Sequence, residues 1–387
     1  MNDTASTAAS SREAASTASS SEAGSRGPVR IGLAGTGWRA DFFHRVARAR
    51  PDLFTLDTVW TRSDDSAARA RDRWHVDVHT DWDAFTARGP FDYVIVSVPR
   101  SAAPDLTCRL VEAGTPALVE TPPATDVAAM QELYRRLGAS APVQIAEQYQ
   151  YQPHHAARIA LARSGLIGPV GSARVSVAHG YHGVNLIRRL LDVGLDAVEI
   201  EATAFPDPVV SPRDRGGWIN EPQTVTATTT LATLRFDQRV GVFEFDDQQY
   251  FAPYRSRHLW VRGEKGEIVD DEVTYLARPG LVAHERLRRD QGGFEGDLTG
   301  NHLNRLVLGD RVVYTNPMAP AALADDEIAI GDLMARMAVF VAGGEGFYGL
   351  AEACHDHYLG LLIDEAAGSR RRVRSEQQPW MAGRGSS

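Results

Sequence analysis

A turn rich in glycine follows the first apolar segment of the chain. Val29, Ile31 and Leu33 alternate as in a short strand, and a helical pattern begins after the turn. In a strand–turn–helix unit, small residues allow the tight turn, leave room for a pyrophosphate and let helix and strand approach. The free N–H groups at the start of the helix would face the phosphates. The sequence therefore predicts a dinucleotide site at Gly35, Thr36, Gly37, Trp38, Arg39 and Ala40.

A second group of polar residues, Thr61-Arg62-Ser63, follows the next predicted strand, Leu56–Trp60. Ribose recognition occurs at this position of a dinucleotide-binding unit, where an arginine can hold a 2′-phosphate. Arg62 therefore favours NADP. Asp64 and Asp65 follow at once and could instead receive a ribose diol, which would favour NAD. We expect NADP or NAD, with a slight preference for NADP.

The elements around these residues predict an α/β protein of two domains. Strand and helix patterns alternate from Val29 to Ala146, which is typical of a doubly wound parallel sheet. Strand-like runs joined by turns follow from about residue 170, and they predict an α+β domain with a mostly antiparallel, open sheet. We place the Rossmann domain at 28–148 and the second domain, with two closing helices, at 149–368. Residues 1–27 have no apolar periodicity and are expected to be disordered, and 369–387 to be a flexible tail.

The composition excludes several classes of partner. The chain has 387 residues, a net charge of -9 and no apolar run of membrane-spanning length, so we expect neither nucleic-acid nor membrane binding. Its two cysteines, Cys108 and Cys354, make a disulfide framework unlikely and favour a cytoplasmic location. Lys265 is the only lysine, so a mechanism that needs a catalytic lysine must use it or do without.

Four motifs resemble those of the Gfo/Idh/MocA family of glucose–fructose oxidoreductase and inositol dehydrogenase. Glu120-Thr121-Pro122 is similar to the family's Glu-Lys-Pro, and Gly180-Tyr181-His182 to its Gly-x-His. The segments 263–268 and 352–358 resemble its late hairpin and its final helix. The likeness extends over roughly residues 29–367, nearly the whole expected ordered chain.

The resemblance implies hydride transfer between a nicotinamide and a hydroxyl or carbonyl of a sugar- or polyol-like substrate. His182 stands where the family's general base stands, and a neutral imidazole suits that role. Thr121 replaces the family's lysine, and losing one charged donor at a developing oxyanion costs about 10²–10³ in rate. Other donors would then be needed, and the candidates are Tyr149, Tyr181 and His179. A redox-neutral, glycoside-modifying enzyme with retained NAD(H) and a non-catalytic regulatory protein stay open as alternatives.

The resemblance also implies the remaining contacts. On the cofactor side we expect Val98, Pro99, Glu120, Pro122 and Gln148. On the substrate side we expect Tyr149, Gln150, Asn185 and Trp218. The segment 153–182 is short for the family, which predicts an open pocket or one completed by residues 205–223. We expect no metal site, since no closed set of ligands is visible around His179 and His182. A homo-oligomer, dimer or tetramer, is implied by the family alone.

Overall fold

The computed structural model describes residues 27–295, 298 and 300–381. Within them the first sheet has six parallel strands in the order β3-β2-β1-β4-β5-β6. The strands are β1 Val29–Ala34, β2 Phe54–Trp60, β3 Asp77–His79, β4 Tyr93–Val96, β5 Ala117–Val119 and β6 Val143–Ile145. The helices between them are α1 Trp38–Ala49, α2 Asp64–Trp74, α3 Trp82–Thr86, α4 Ala103–Glu112 and α5 Val127–Leu137. The predicted doubly wound parallel sheet is confirmed.

Local sequence explains the elements of this domain. All four residues of β4 are apolar and buried, as expected for a parallel strand that is covered on both faces. The α5 helix begins after Asp126, whose Oδ1 accepts a hydrogen bond from the Ala129 N–H at 2.9 Å. An aspartate in this position is a favoured side-chain cap, because it satisfies one of the free N–H groups at the start of the helix. The glycine turn lies directly between β1 and α1, at the carboxyl edge of the sheet.

The second sheet is mostly antiparallel, as predicted. In the described part of the chain it has eleven strands in the order β16-β15-β14-β13-β12-β11-β7-β10-β9-β8-β17, and only β7 and β10 pair in parallel. The strands are β7 Val170–Ser176, β8 Glu199–Asp214, β9 Gly217–Phe236, β10 Arg239–Asp246, β11 His258–Gly263, β12 Gly266–Val269, β13 Glu272–Arg278, β14 Leu281–Gly292, β15 His302–Leu308, β16 Arg311–Thr315 and β17 Val373–Arg374. The chain turns between β12 and β13 at Asp270, which has a φ of 53°.

Four further helices position the residues of interest. They are α6 Pro153–Arg163, α7 Gly180–Leu191, α8 Asp325–Val341 and α9 Leu350–Ser369, with short 3₁₀ turns at Tyr149–Tyr151 and Pro379–Met381. The α7 helix packs between β7 and α9. The α8 helix returns to the first domain, where it packs on α1 and its Met334 carbonyl accepts a hydrogen bond from the Tyr93 hydroxyl at 3.0 Å. The two domains therefore share a helix across their boundary.

The C-terminal segment differs from the expected flexible tail. β17 pairs with the start of β8, and Arg372 forms ion pairs with Glu199 and Glu201. Trp380 is buried against Tyr134 and Tyr358. The expectation is corrected for residues 369–381, because a single buried tryptophan and three complementary charges hold a segment that has no apolar periodicity. The predicted disordered residues 1–26 and the last residues, 382–387, lie outside the described part.

Candidate active site at the domain junction

The first sheet collects the predicted cofactor residues at one edge. The glycine turn follows β1, Thr61-Arg62-Ser63 follow β2, Val98 and Pro99 follow β4, and Glu120 and Pro122 follow β5. The carboxyl ends of parallel strands form the crevice in which ligands bind in open α/β sheets. Gln148 lies after β6 at the same edge and is buried. Residues that are far apart in sequence are therefore brought to one crevice.

The glycine turn fits a dinucleotide pyrophosphate. Gly35 has a φ of +118°, and a Cβ there would lie 1.9 Å from the Ser97 carbonyl oxygen, so only glycine is tolerated. At Gly37 a Cβ would meet no atom within 4 Å, which leaves open space in front of the unpaired N–H groups of the first turn of α1. Ala40 is fully buried where the helix meets the sheet. The Thr36 and Thr61 hydroxyls lie 3.4 Å apart and connect the turn to the end of β2.

The segment after β2 contains an arginine whose charge is not paired within the described residues. Arg62 is exposed and, among the described residues, has no hydrogen-bond or ion-pair partner. Ser63 caps α2 by accepting a hydrogen bond from the Ser66 N–H at 3.3 Å. Asp64 accepts a hydrogen bond from the Thr80 hydroxyl at 3.1 Å. Arg62 is thus available for an anionic group of a bound nucleotide, whereas Asp64 already has a partner.

Arg39 does not point along the phosphates as the sequence suggests. Its Nε donates to Glu120 Oε1 at 3.0 Å and its Nη1 donates to Asp326 Oδ2 at 3.1 Å. Burial disfavours the charge, but the two carboxylates outweigh it and raise the pKa of Arg39. The expected phosphate contact is therefore corrected: Arg39 and Glu120 connect α1, the end of β5 and α8. Trp38, by contrast, is 53% exposed beside the open turn.

A buried pair of titratable groups lies across the crevice from the glycine turn. His182, in the first turn of α7, has its Nδ1 2.6 Å from Glu147 Oε2. Glu147 follows β6, is 0% exposed, and accepts a second hydrogen bond from the Tyr149 N–H at 3.0 Å. Burial raises the pKa of Glu147 to about 8 and, together with the charge of Arg39, lowers the pKa of His182 to about 3. The imidazole is therefore neutral at physiological pH.

Glu147 was missed by the sequence reasoning. Its position directly after the apolar run of β6, at the carboxyl end of a parallel strand, is a signal that could have identified it. The contact with His182 spans 35 residues and crosses the domain boundary, so no local pattern predicts it. In a buried pair of this kind the carboxylate fixes which imidazole nitrogen carries the proton.

The predicted catalytic side chains surround His182. The rings of Tyr149 and Tyr181 lie 4.5 and 4.3 Å from the His182 ring, centroid to centroid. His179 accepts a hydrogen bond at Nδ1 from the Tyr250 hydroxyl at 3.0 Å, and burial lowers its pKa to about 3. Thr121 lies near the Tyr181 phenol, where it acts against the effect of burial, which raises the pKa of Tyr181. The structure therefore brings together His182, Tyr181, His179 and Thr121.

Lys265 cannot replace the missing lysine. It lies in the turn between β11 and β12, next to the start of β7, whereas His182 follows the end of β7. The seven residues of β7 span about 20 Å at ~3.3 Å per residue. A lysine at that distance does not contact a substrate that is held at His182.

Two of the predicted substrate residues lie elsewhere. Asn185 is fully buried and donates to Asp356 Oδ2 at 2.9 Å, within an ionic network that includes Arg188. Its expected contact with substrate is therefore corrected to a role in the interior of the second domain. Trp218 is 73% exposed near the tip of the β8–β9 hairpin. Gln150 is buried beside Tyr149, and its Nε2 has no hydrogen-bond partner among the described residues.

The β8–β9 hairpin reaches both sides of the crevice. At its tip, the Arg215 guanidinium lies 4.6 Å from the Trp38 ring centroid, beside the glycine turn. On the other side, Arg213 donates to the carbonyl oxygen of Tyr250 at 3.1 Å, and the hydroxyl of Tyr250 contacts His179. The stretch 205–223 thus contacts residues on both sides of the crevice.

No group of three His, Cys, Asp or Glu side chains is arranged to hold a metal ion in the part of the chain that the structure describes. No helix in the same part is long and apolar enough to cross a membrane.

Comparisons with known proteins agree with this geometry. The model for the GFO_IDH_MocA oxidoreductase family, with an NAD-binding Rossmann fold, matches residues 29–145. This match makes the chain an NAD-binding oxidoreductase by its first domain. The matched residues make up less than half of the chain, so the likeness to this family is shown for the first domain. Among curated proteins, none matches the chain significantly.

Solved structures share the fold of both domains. A myo-inositol dehydrogenase from Corynebacterium glutamicum is 18% identical, with a TM-score of 0.63, and the match covers 90% of this chain and 99% of that one. A levoglucosan dehydrogenase in complex with NADH and levoglucosan is 17% identical, with a TM-score of 0.65 and coverage of 90% and 100%. An Agrobacterium radiobacter oxidoreductase in complex with NAD+, L-tartaric acid and magnesium is 15% identical, with a TM-score of 0.64 and coverage of 89% and 98%.

Replacing Gly37 with alanine tests the glycine turn. The new methyl group enters space that is free of protein atoms, so we expect the thermal unfolding midpoint to stay within ~2 °C of the wild type. The same methyl group occupies the space in which the pyrophosphate would lie, so the Kd for NADH should rise at least about tenfold. Differential scanning fluorimetry and a fluorescence titration measure the two quantities. Gly171→Ala, at an equally open glycine in β7, is the control, and an unchanged NADH affinity in Gly37→Ala would contradict this site.

Proposed function

We propose that the chain transfers a hydride between NAD(P) and a CH–OH or carbonyl carbon of a small sugar- or polyol-like substrate. The observation that carries the proposal is the 2.6 Å contact between Glu147 and His182, buried beside the dinucleotide crevice. Similar structures were determined with levoglucosan and with L-sorbose, both hydroxyl-bearing small molecules. A positioned, neutral imidazole is what the oxidation of a hydroxyl requires of the protein.

The role of each residue follows from its contacts. The nicotinamide, when bound, supplies the hydride chemistry. His182 takes the hydroxyl proton at Nε2, because Nδ1 is held by Glu147. Thr121 and Tyr181 lie beside the imidazole as neutral hydrogen-bond donors for the oxygen that becomes negative. Their hydroxyls replace the charged donor that the resemblance leads one to expect.

The direct test is His182→Ala with a panel of sugars and polyols and both nucleotides. Removing the base should lower kcat at least about 10²-fold, while the Kd for the nucleotide changes less than about threefold. Initial rates at 340 nm and the fluorescence titration give these values. His258→Ala is a suitable control, because His258 pairs with Asp270 on the exposed face of the second sheet.

The outcomes separate the alternatives. Equal activity in His182→Ala would overturn the mechanism. Nucleotide binding without turnover of any substrate would favour a regulatory protein. Nucleotide that stays bound through purification, with no net change of its redox state, would favour the redox-neutral enzyme.

The pH dependence should follow the Glu147–His182 pair. Below pH 8 the protonated carboxyl donates to Nδ1, so Nε2 carries the imidazole proton and cannot accept another. As pH rises through about 8, the pair loses one proton to solvent: the carboxyl proton passes to Nδ1, Nε2 releases its own proton, and the Nε2 lone pair becomes free. We therefore expect kcat/KM for oxidation to rise with pH to a plateau above about 8. In Glu147→Gln the rate should be lower and this inflection absent, and an unchanged inflection would assign it to another group.

We propose that Arg62 sets the preference for NADP. Its support is an exposed, unpaired guanidinium at the end of β2, at the ribose position. Arg62→Gln should raise the Kd for NADPH about tenfold or more, as expected when a charged hydrogen bond is lost, and leave that for NADH within about threefold. Arg69→Gln, on the exposed face of α2, is the matched control. Tighter binding of NADH than NADPH by the wild type, unchanged in Arg62→Gln, would assign the chain to NAD.

A homo-oligomer and a cytoplasmic location complete the proposal. The family resemblance supports a dimer or tetramer. Cys108 and Cys354 are both free and buried, which suits a reducing compartment.

A further inference from the structure

Two arginines stand beside the catalytic cluster without a counter-charge. Arg100 and Arg257 are exposed, and neither has a hydrogen-bond or ion-pair partner among the residues that the structure describes. Most charged side chains near them are already paired: Glu147 with His182, and Glu120 and Asp326 with Arg39. These carboxylates are therefore already engaged, and Arg100 and Arg257 are left unpaired beside neutral histidines and tyrosines.

Arg257 lies over the aromatic side of the cluster. Its Cζ is 5.3 Å from the ring centroid of Tyr250, whose hydroxyl contacts both His179 and the Tyr149 hydroxyl. Burial raises the pKa of Tyr149, and the charge of Arg257 acts in the opposite direction. The guanidinium is therefore close enough to act on the groups that line the substrate side of His182.

Arg100 lies on the cofactor side. It follows Val98 and Pro99 at the carboxyl end of β4, where the parallel sheet opens towards α7. Its charge acts on His179, Tyr181 and His182, in each case in addition to the larger effect of burial. By its place in the chain, Arg100 lies at the carboxyl edge of the first sheet, next to the expected cofactor residues Val98 and Pro99.

We propose that the substrate is anionic and that Arg257 and Arg100 hold its carboxylate or phosphate while its hydroxyl reaches Nε2 of His182. This inference rests on the proposed function, and it narrows the substrate class to hydroxy acids and sugar phosphates. A neutral polyol has no negative group that could pair with the two arginines beside the site. An oxyanion is recognised by arginine through paired N–H donors and draws the substrate towards the crevice before it binds.

The test compares three molecules with the same carbon skeleton: glucitol, gluconate and glucitol 6-phosphate. Binding to the NADH-loaded protein is measured by calorimetry at low salt, and turnover is measured with the oxidised nucleotide. We expect at least one acidic member to bind about tenfold or more tightly than glucitol, and its advantage to shrink as NaCl is added. Preference for gluconate or for the phosphate tells which oxyanion the site takes.

Arg257→Gln should remove about tenfold or more of the affinity for the preferred acidic member and leave that for glucitol within about twofold. Arg262→Gln is the matched control, because Arg262 is also exposed and stacked on an aromatic ring, that of Trp260, but on the β11–β12 hairpin. Loss of affinity in Arg257→Gln but not in Arg262→Gln supports the proposal.

Each negative result contradicts a different proposal. Equal or absent binding of the acidic members, or equal affinities in wild type and Arg257→Gln, overturns the anionic substrate. If the wild type also fails to bind NADH, the proposed oxidoreductase function fails with it. If NADH binds and His182→Ala is inactive, the proposed function stands and only the substrate class is wrong.

Discussion

The contact between Glu147 and His182 joins the two domains at the place where the chemistry would occur. The carboxyl comes from the end of the last parallel strand, and the imidazole comes from the helix that follows the first strand of the second sheet. Both groups are buried, so neither can be charged alone without a large desolvation cost. A single proton between Glu147 Oε2 and His182 Nδ1 provides a hydrogen bond for both groups. The domain arrangement and the protonation state of the base therefore depend on the same hydrogen bond.

The ion pairs of Arg39 support this arrangement from the other side. Arg39 begins in α1, next to the glycine turn, and reaches Glu120 in the first domain and Asp326 in α8. The α8 helix packs on the first domain and also contacts the 3₁₀ turn at Tyr149–Tyr151. A displacement of the glycine turn would therefore also displace the residues around Tyr149. Breaking a buried pair by removing one partner leaves an uncompensated charge, which is typically worth about 3–5 kcal/mol. This explains why an arginine in the glycine turn serves the junction rather than the phosphates.

The sequence predicts best what local patterns encode. The order of strands and helices in the first domain follows from apolar periodicity, and the glycine turn follows from the need for a positive φ at Gly35. The short strand β3 and the strands β14–β16 were not predicted, because their charged residues interrupt the alternation of apolar side chains. The packing of Trp380 and the partners of Asn185 are contacts between distant segments, and such contacts are set by tertiary structure alone.

The residues of the candidate site divide in the same way, into those that a local motif identifies and those that only the tertiary structure identifies. Position within a motif identified His182, Tyr181 and Thr121, and the structure brings them together. Tyr250 and Arg257 carry no local signal, since a phenol or a guanidinium in a loop is usually solvated, and Glu147 has only its position after β6. They become significant because the tertiary structure brings these three segments to one imidazole. The single lysine lies at the far end of β7, a strand about 20 Å long, so in the proposed function hydroxyl groups and arginines would stabilise the negative charge. Arg100 and Arg257, the unpaired arginines beside the crevice, would serve two purposes. They would stabilise the negative charge of the reaction, and they would recognise an anionic substrate.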